Sequence, residues 1–256
     1  MLQFNDISLR VGGKHILSPM SGSFPQGSVT ALIGPNGSGK STLLSVLSQL
    51  RHPDTGTVSL NGELLSKQSR ANIAQKMALM PQRNPVPSTL TVEDLVTFGR
   101  HPHRPWYRGL NNHDQSIIDW AMTEAGVEEY RERLLTGLSG GELQRCWLAM
   151  VLAQDTPILM LDEPTSWLDI HHQQALLNIV RRLNREFDKT IIWVLHDLNQ
   201  ALHYSDRAML LHNGEMISAG DVNEVITAER ITQVYQTRVN EHQLEDQRIL
   251  MTEVTQ

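Results

Sequence analysis

Apolar residues fall on alternate positions at the start of the chain. Leu2, Phe4, Ile7 and Leu9 read as a strand that a turn at Gly12-Gly13 closes. Val29-Thr30-Ala31-Leu32-Ile33 is a short apolar run between Gly27 and Gly34, the pattern of an interior strand. After Gly39-Lys40, the residues Leu43, Leu44, Val46, Leu47 and Leu50 recur at helical spacing. Thr57–Leu60 followed by Asn61-Gly62 predicts a strand entering a tight turn, and Ala78-Leu79-Met80 a strand stopped at Pro81-Gln82. Residues 84–113 change texture, with Pro85, Pro87, Pro102 and Pro105 among polar residues and a helix expected over Thr91–Val96. Beyond them, helices expected over 114–125, 142–154, 171–187 and 198–204 alternate with strands at 158–161 and 190–195, and a strand pair flanks Asn213-Gly214. In the tail, Val222, Val225 and Ile226 predict one short helix, Ile231, Val234 and Tyr235 another, and Arg248–Met251 an edge strand. Strands alternating with helices imply a layered α/β core, with a mostly helical insertion near 84–146.

Composition narrows the class. Of 256 residues 40% are apolar, enough for a sizeable core, and 22 basic against 28 acidic residues leave a net charge of −6. That balance argues against a nucleic-acid partner, which calls for a basic surface. The one cysteine, Cys146, excludes an internal disulfide or a thiolate zinc cluster and suits a reducing compartment. No apolar run approaches the ~20 residues of a membrane span, and the first residues lack the pattern of a secretory signal. A soluble intracellular protein is expected, with any membrane role acting through a partner.

Gly34-Pro35-Asn36-Gly37-Ser38-Gly39-Lys40-Ser41 fits G-x-x-x-x-G-K-[ST] between an expected strand and an expected helix. Successive backbone N–H groups in such a bend, with the positive end of a helix dipole behind them, cradle phosphate oxygens. Lys40 is placed to reach the β- and γ-phosphates, and the Ser41 hydroxyl to ligate Mg²⁺. Without its context the loop is also an ordinary strand-to-helix turn.

The apolar run Ile158–Leu161 ends in Asp162-Glu163. A strand ending beside a phosphate loop can aim Asp162 at the Mg²⁺ shell and let Glu163 take a proton from an attacking water. Acidic residues are also common at strand-to-turn junctions, and Pro164 marks a turn. Ser139-Gly140-Gly141 ahead of a helix makes a second anion site of backbone N–H groups, a hydroxyl and a dipole. One nucleotide needs one such loop, so the second suggests a nucleotide held by another copy; the plain alternative is a helix capped by Ser139.

Taken in order, Gly34–Ser41, Leu138-Ser139-Gly140-Gly141-Glu142, Asp162-Glu163-Pro164 and His196 resemble the ATP-binding-cassette (ABC) ATPases over roughly residues 1–225. The resemblance implies an α/β fold: a P-loop NTPase (RecA-like) core from 1–83 and 147–220, with an N-terminal antiparallel β portion. It further implies an inserted helical subdomain at 84–146 carrying the signature loop, and a C-terminal extension at 221–256. Two copies pair head to tail around two ATP molecules in that family. Each phosphate loop (Gly34, Pro35, Asn36, Gly37, Ser38, Gly39, Lys40, Ser41 and Thr42) then faces the partner's Ser139, Gly140 and Gly141. By the same resemblance Glu163 is the catalytic base, and Gln82 senses Mg²⁺ and the attacking water and links to the membrane subunit. His196 is the switch at the γ-phosphate, and Ser166–Asp169 crosses the dimer interface, with Asp169 in the nucleotide-binding set. Ser41, Gln82 and Asp162 hold Mg²⁺.

Within the family, the segments Cys146–Gln154, Thr165–Ile170, Val96–Pro102 and Leu195–Ala201 resemble the iron-chelate importer branch. That implies an ATPase powering import of a ferric siderophore or haem through a polytopic permease dimer, fed by a periplasmic or surface substrate-binding protein. The chain would lie peripherally on the cytoplasmic face of the bacterial inner membrane. Cobalamin import and a non-transport role in cluster assembly or DNA transactions are the alternatives; a P-loop kinase leaves Ser139-Gly140-Gly141 and His196 unexplained. Two positions depart from the family pattern. Val11 stands about where an aromatic ring stacks on adenine, giving apolar contact without stacking, and Leu143 follows the signature where glutamine or arginine is common. His101-Pro102-His103 lacks carboxylate or thiolate company, and adjacent His171 and His172 diverge by about 100° on a helix, so neither pair reads as a metal site. Trp106-Tyr107 fits either core or a permease contact.

Overall fold

The computed structural model describes all residues except 83–85, 87, 105, 106, 246 and 254–256. The described residues form two compact units, 1–67 with 190–256, and 68–189. Trp106 lies outside the described residues, as do Pro85, Pro87 and Pro105; Tyr107 is exposed.

The first unit opens with a hairpin of β1 (Leu2–Val11) and β2 (Lys14–Phe24). Gly12 and Gly13 turn it at φ 58° and 81°, the positive angles that both centre residues of a two-residue hairpin need. β2 escapes sequence reading because its buried residues, Leu17, Met20 and Phe24, are spaced by three and four rather than two. Register shifts along the β1–β2 pairing break the simple alternation. Next come β3 (Val29–Ile33), buried throughout, and α1 (Lys40–Leu47). β4 (Thr55–Leu60) then lies antiparallel to β1, with β5 (Glu63–Leu64) at its other edge.

The second unit contains α2 (Arg70–Ala74), β6 (Met77–Met80), α3 (Val92–Phe98), α4 (Asn112–Ala125), α5 (Gly140–Ala153), β7 (Ile158–Asp162) and α6 (Ile170–Phe187). Thr91, Asn111 and Ser139 each begin a helix with a reciprocal capping box. α3 ends so close to α5 that a Cβ on Gly99 would lie 2.3 Å from the Met150 carbonyl oxygen. Arg100 and Asp114 form a buried ion pair at 2.9 Å, and Arg100 also donates to the Ala153 carbonyl at 2.8 Å. α6 buries Leu176, Leu177, Val180 and Leu183 on one face and stops at Asp188, in the left-handed region at φ 50°.

The chain returns to the first unit through β8 (Thr190–Val194), α7 (Leu198–Tyr204), β9 (Arg207–His212), β10 (Glu215–Asp221), α8 (Val222–Val225), α9 (Ala228–Tyr235), β11 (Val239–Leu244) and β12 (Gln247–Thr252). β8 and β9 run parallel to β3 on either side, and β10 is antiparallel to β9. A strand paired in parallel on both sides is covered on both faces, which explains why β3 reads as a nearly unbroken apolar run. Only one arm of the β11–β12 hairpin is legible beforehand, because β11 is polar and exposed beyond Val239. Its second arm is strapped to α7: the Asn199 side chain both donates to the Leu250 carbonyl and accepts from its N–H. Among the described residues no helix is long and apolar enough to cross a membrane.

Candidate functional site

In the first unit the loop from β3 to α1 is wound by Gly34, Gly37 and Gly39, at φ 142°, 80° and 101°. Two of them are glycines for lack of room. A Cβ on Gly34 would lie 2.1 Å from the Leu211 carbonyl oxygen, and one on Gly39 would lie 2.8 Å from the Leu17 side chain. Gly37 differs, with nothing within 4 Å of its Cβ position, so conformation alone demands glycine there and the space beside it is open. Lys40 is buried and its ammonium turns back into the loop, donating to the carbonyls of Gly34 at 2.8 Å and Pro35 at 3.0 Å. The Ser38 hydroxyl is buried inside the same bend with no hydrogen-bond partner among the described residues. An unpartnered buried hydroxyl in a loop of this shape fits a site whose polar ligand completes it.

The loop is clamped from outside. The Ser38 backbone carbonyl accepts from Gly214 N–H at 3.1 Å, and Gly34 N–H donates to the Tyr235 hydroxyl at 2.9 Å. Burial pushes that phenol up to about 12, so it stays neutral and fit to accept. Ser41 and Thr42 lie on the first turn of α1. His196 follows β8 and is exposed; since Leu32 of β3 pairs with Val194 of β8, His196 and Gly34 each stand two residues past a paired position. Both therefore emerge at the carboxyl ends of neighbouring parallel strands, where α/β sheets hold their ligands. Val11 is exposed at the end of β1, beside the hairpin turn.

Strand register also places side chains in the second unit. Met80 of β6 pairs with Leu161 of β7, and two residues later Gln82 Nε2 donates to Glu163 Oε2 at 2.5 Å. Glu163 takes the left-handed conformation, φ 52°, and the Ser166 hydroxyl donates to the same carboxylate oxygen at 3.0 Å. Asp162, the last residue of β7, is buried. Ser139 caps α5 by accepting from Glu142 N–H at 3.3 Å, while the Glu142 carboxylate accepts from Ser139 N–H at 2.7 Å. The Ser139 N–H, with the Ser139 and Tyr130 hydroxyls, holds the Glu142 carboxyl below the usual carboxylate range. Asp169 caps α6, accepting from both the His172 backbone N–H and its ring Nδ1; the two bonds lower its carboxyl likewise. Between Glu163 and Asp169, Trp167 stands 91% exposed at φ 68°, and Ile170, just past Asp169, is 86% exposed.

Within the first unit the structure thus brings together Gly34–Thr42 and His196, and within the second Gln82, Asp162 and Glu163, with Ser139–Gly141 and Asp169 at two helix starts. The family described as "ABC transporter" matches residues 17–166. The chain belongs to the ABC transporter ATP-binding family. ATP-binding proteins of this family hydrolyse ATP to drive transport; they dimerise and work with membrane permease partners. The iron(3+)-hydroxamate import ATP-binding protein FhuC of Bacillus subtilis is 44% identical, over 92% of this chain and 87% of the relative. The ferric enterobactin transport ATP-binding protein FepC of Escherichia coli is 40% identical, over 93% and 88%. In fold, the chain matches an inward-facing metal-chelate-type ABC transporter with a TM-score of 0.85 at 23% identity, over 98% of this chain and 96% of the other. The P-loop NTPase fold expected from the sequence is the fold found.

Tyr235 and His172 carry no motif signal for the contacts they make with Gly34 and Gly141. Gln82 and Glu163 were each expected at the attacking water, but their direct bond joins residues 81 apart, and the β6–β7 register is what brings the two side chains level.

Proposed function

We propose that this ABC ATPase powers import of a ferric chelate, a siderophore or haem, as a pair of identical copies beneath a polytopic permease on the cytoplasmic face of the inner membrane. The Gln82–Glu163 pair carries the catalytic reading. It couples a carboxylate suited to be a base with an amide that fixes its direction. The relatives' names, both of iron-chelate systems, support the cargo, with a substrate-binding protein upstream. In this reading residues 84–146 act as the helical subdomain, and core and C-terminal extension follow the division at 1–83, 147–220 and 221–256.

The N–H groups around Gly37 and Gly39, with Lys40, hold the phosphates, Lys40 exchanging loop carbonyls for phosphate oxygens. Glu163 accepts a proton from water as the water oxygen bonds to the γ-phosphorus and the bond from phosphorus to the ADP oxygen breaks, leaving ADP and phosphate. Gln82 and Ser166 hold the Glu163 carboxylate during this step, and His196 contacts the γ-phosphate. Ser41, Asp162 and Gln82, whose Nε2 is engaged with Glu163 so that its oxygen is the ligand, offer the hydroxyl, carboxylate and amide oxygens that suit Mg²⁺. When bound, Mg²⁺ offsets phosphate charge. Ser139, Gly140 and Gly141 serve the partner copy's nucleotide.

Glu163→Gln should retain ATP binding, stop turnover and accumulate a nucleotide-loaded dimer, read by gel filtration with light scattering. Unchanged turnover removes Glu163 from its role. For the cargo, the chain and its co-purifying permease are placed in vesicles and offered labelled ferric hydroxamate, haem or cobalamin with ATP inside or outside. Uptake of cobalamin alone moves the chain to the alternative importer class. A chain that stays partnerless beside every candidate permease points to a non-transport role.

A further inference from the structure

α5 begins with the glycines of the signature loop, and one imidazole accounts for the second of them. A Cβ on Gly141 would lie 2.5 Å from Cδ2 and 2.6 Å from Cγ of His172, so the ring lies against the bare Cα. The ring cannot swing away freely, because its Nδ1 is bonded at 2.8 Å to Asp169 Oδ1, which also accepts the His172 backbone N–H at 2.9 Å. A second strap runs beside it: Gln144 Nε2 donates at 3.0 Å to the carbonyl of Pro164, the residue after Glu163. The start of α5 is thus fixed at two points to the loop that runs from Glu163 to Asp169.

We infer that His172 is a positioning residue of the ATPase, a brace that sets Gly140 and Gly141 against the Glu163–Asp169 loop. Because the signature glycines serve the partner copy's nucleotide while Glu163 serves this copy's own, the brace carries the state of one ATP site to the other; this rests on the paired-copy reading above. A helix start held by a ring and by the Gln144 amide cannot shift without moving the loop that holds the base, and packed contacts of this kind transmit small displacements.

The test is a double-mutant cycle on the full-length chain. Affinity for a fluorescent ATP analogue is measured alongside kcat, KM and the Hill coefficient of ATP hydrolysis. His172→Ala should leave analogue affinity within about twofold, lower kcat about tenfold or more, and bring the Hill coefficient toward one. Gly141→Ala should lose more kcat than His172→Ala, because its methyl meets the ring and forces the helix start away from the loop. Gly141→Ala with His172→Ala should recover part of that loss relative to Gly141→Ala alone, since the vacated space accepts the methyl. If Gly141→Ala does not fold, His172→Phe keeps a ring without the Asp169 bond and should fall between wild type and His172→Ala. Wild-type kcat and Hill coefficient in His172→Ala, a double variant no better than Gly141→Ala, or wild-type behaviour of His172→Phe overturns the brace. Failure of the paired-copy reading appears separately, as a Glu163→Gln chain that binds ATP and stays monomeric.

Discussion

Cys146 and Tyr235 show burial setting chemistry one side chain at a time. Cys146 is buried in α5, and desolvation pushes its thiol up to about 12, so it stays protonated and unreactive. A colourless disulfide reagent should label no thiol in the native chain and one per chain in denaturant. Tyr235 is the acceptor for Gly34 N–H. Tyr235→Phe leaves that buried N–H without its partner and should cost about 1–3 kcal/mol in urea unfolding. It should also weaken nucleotide binding, by loosening the entry to the loop. Single residues were the most legible scale for motif chemistry, since Gly34–Ser41, Glu163 and His196 announce themselves by type and spacing. They were the least legible for support. Nothing around Tyr235 or His172 marks it, because each acts through a backbone group remote in sequence.

At the scale of elements, α3, α4 and α5 were readable because capping signals sit at their starts: Thr91 before Asp94, Asn111 before Asp114, Ser139 before Glu142. One carboxylate does two tasks. Asp114 takes the Asn111 N–H in the capping box and Arg100 in the buried pair, tying the end of α3 to the start of α4. Asp114→Ala strands the Arg100 charge and should cost about 3–5 kcal/mol, read from the urea midpoint. Burial works to raise the Asp114 carboxyl, but bonds from Arg100 and Asn111 outweigh it and leave the group below its ordinary value. Its stabilising effect is therefore complete above the unfolded value, about 4, and fades as pH falls through the lower folded value. Acidification through that window should lower the urea midpoint of the wild type more steeply than that of Asp114→Ala. Strands were harder. β3, β7 and β8 stood out as buried runs, whereas the bulged β2 and the polar β11 lack the period of two on which recognition depends.

For the whole molecule, pairing is the property that matters, and the exposed loop around Trp167 lies between the residues expected to meet a second copy. Ser139→Arg places a long cation where the partner's phosphate would sit and crowds the site. ATP should then drive no dimer formation in light scattering, although each chain still binds nucleotide; dimers that form and turn over normally contradict the trans arrangement. The alternation of strands and helices foretold the layered class. It could not foretell that residues 68–189 cluster as a unit while 190–256 rejoin 1–67, because alternation carries no information about which strands become neighbours.

The tether between Gly34 and Tyr235 spans 201 positions, and both strands beside β3 are also made late, from 190–194 and 207–212. A ribosome that has translated the phosphate-loop motif has therefore not yet supplied its scaffold. Nascent chains halted before residue 190 should show no affinity for ATP, and capacity should appear only as synthesis nears completion. Unfinished products then cannot sequester fuel or partner prematurely, a safeguard that follows from where the neighbours of one strand are encoded.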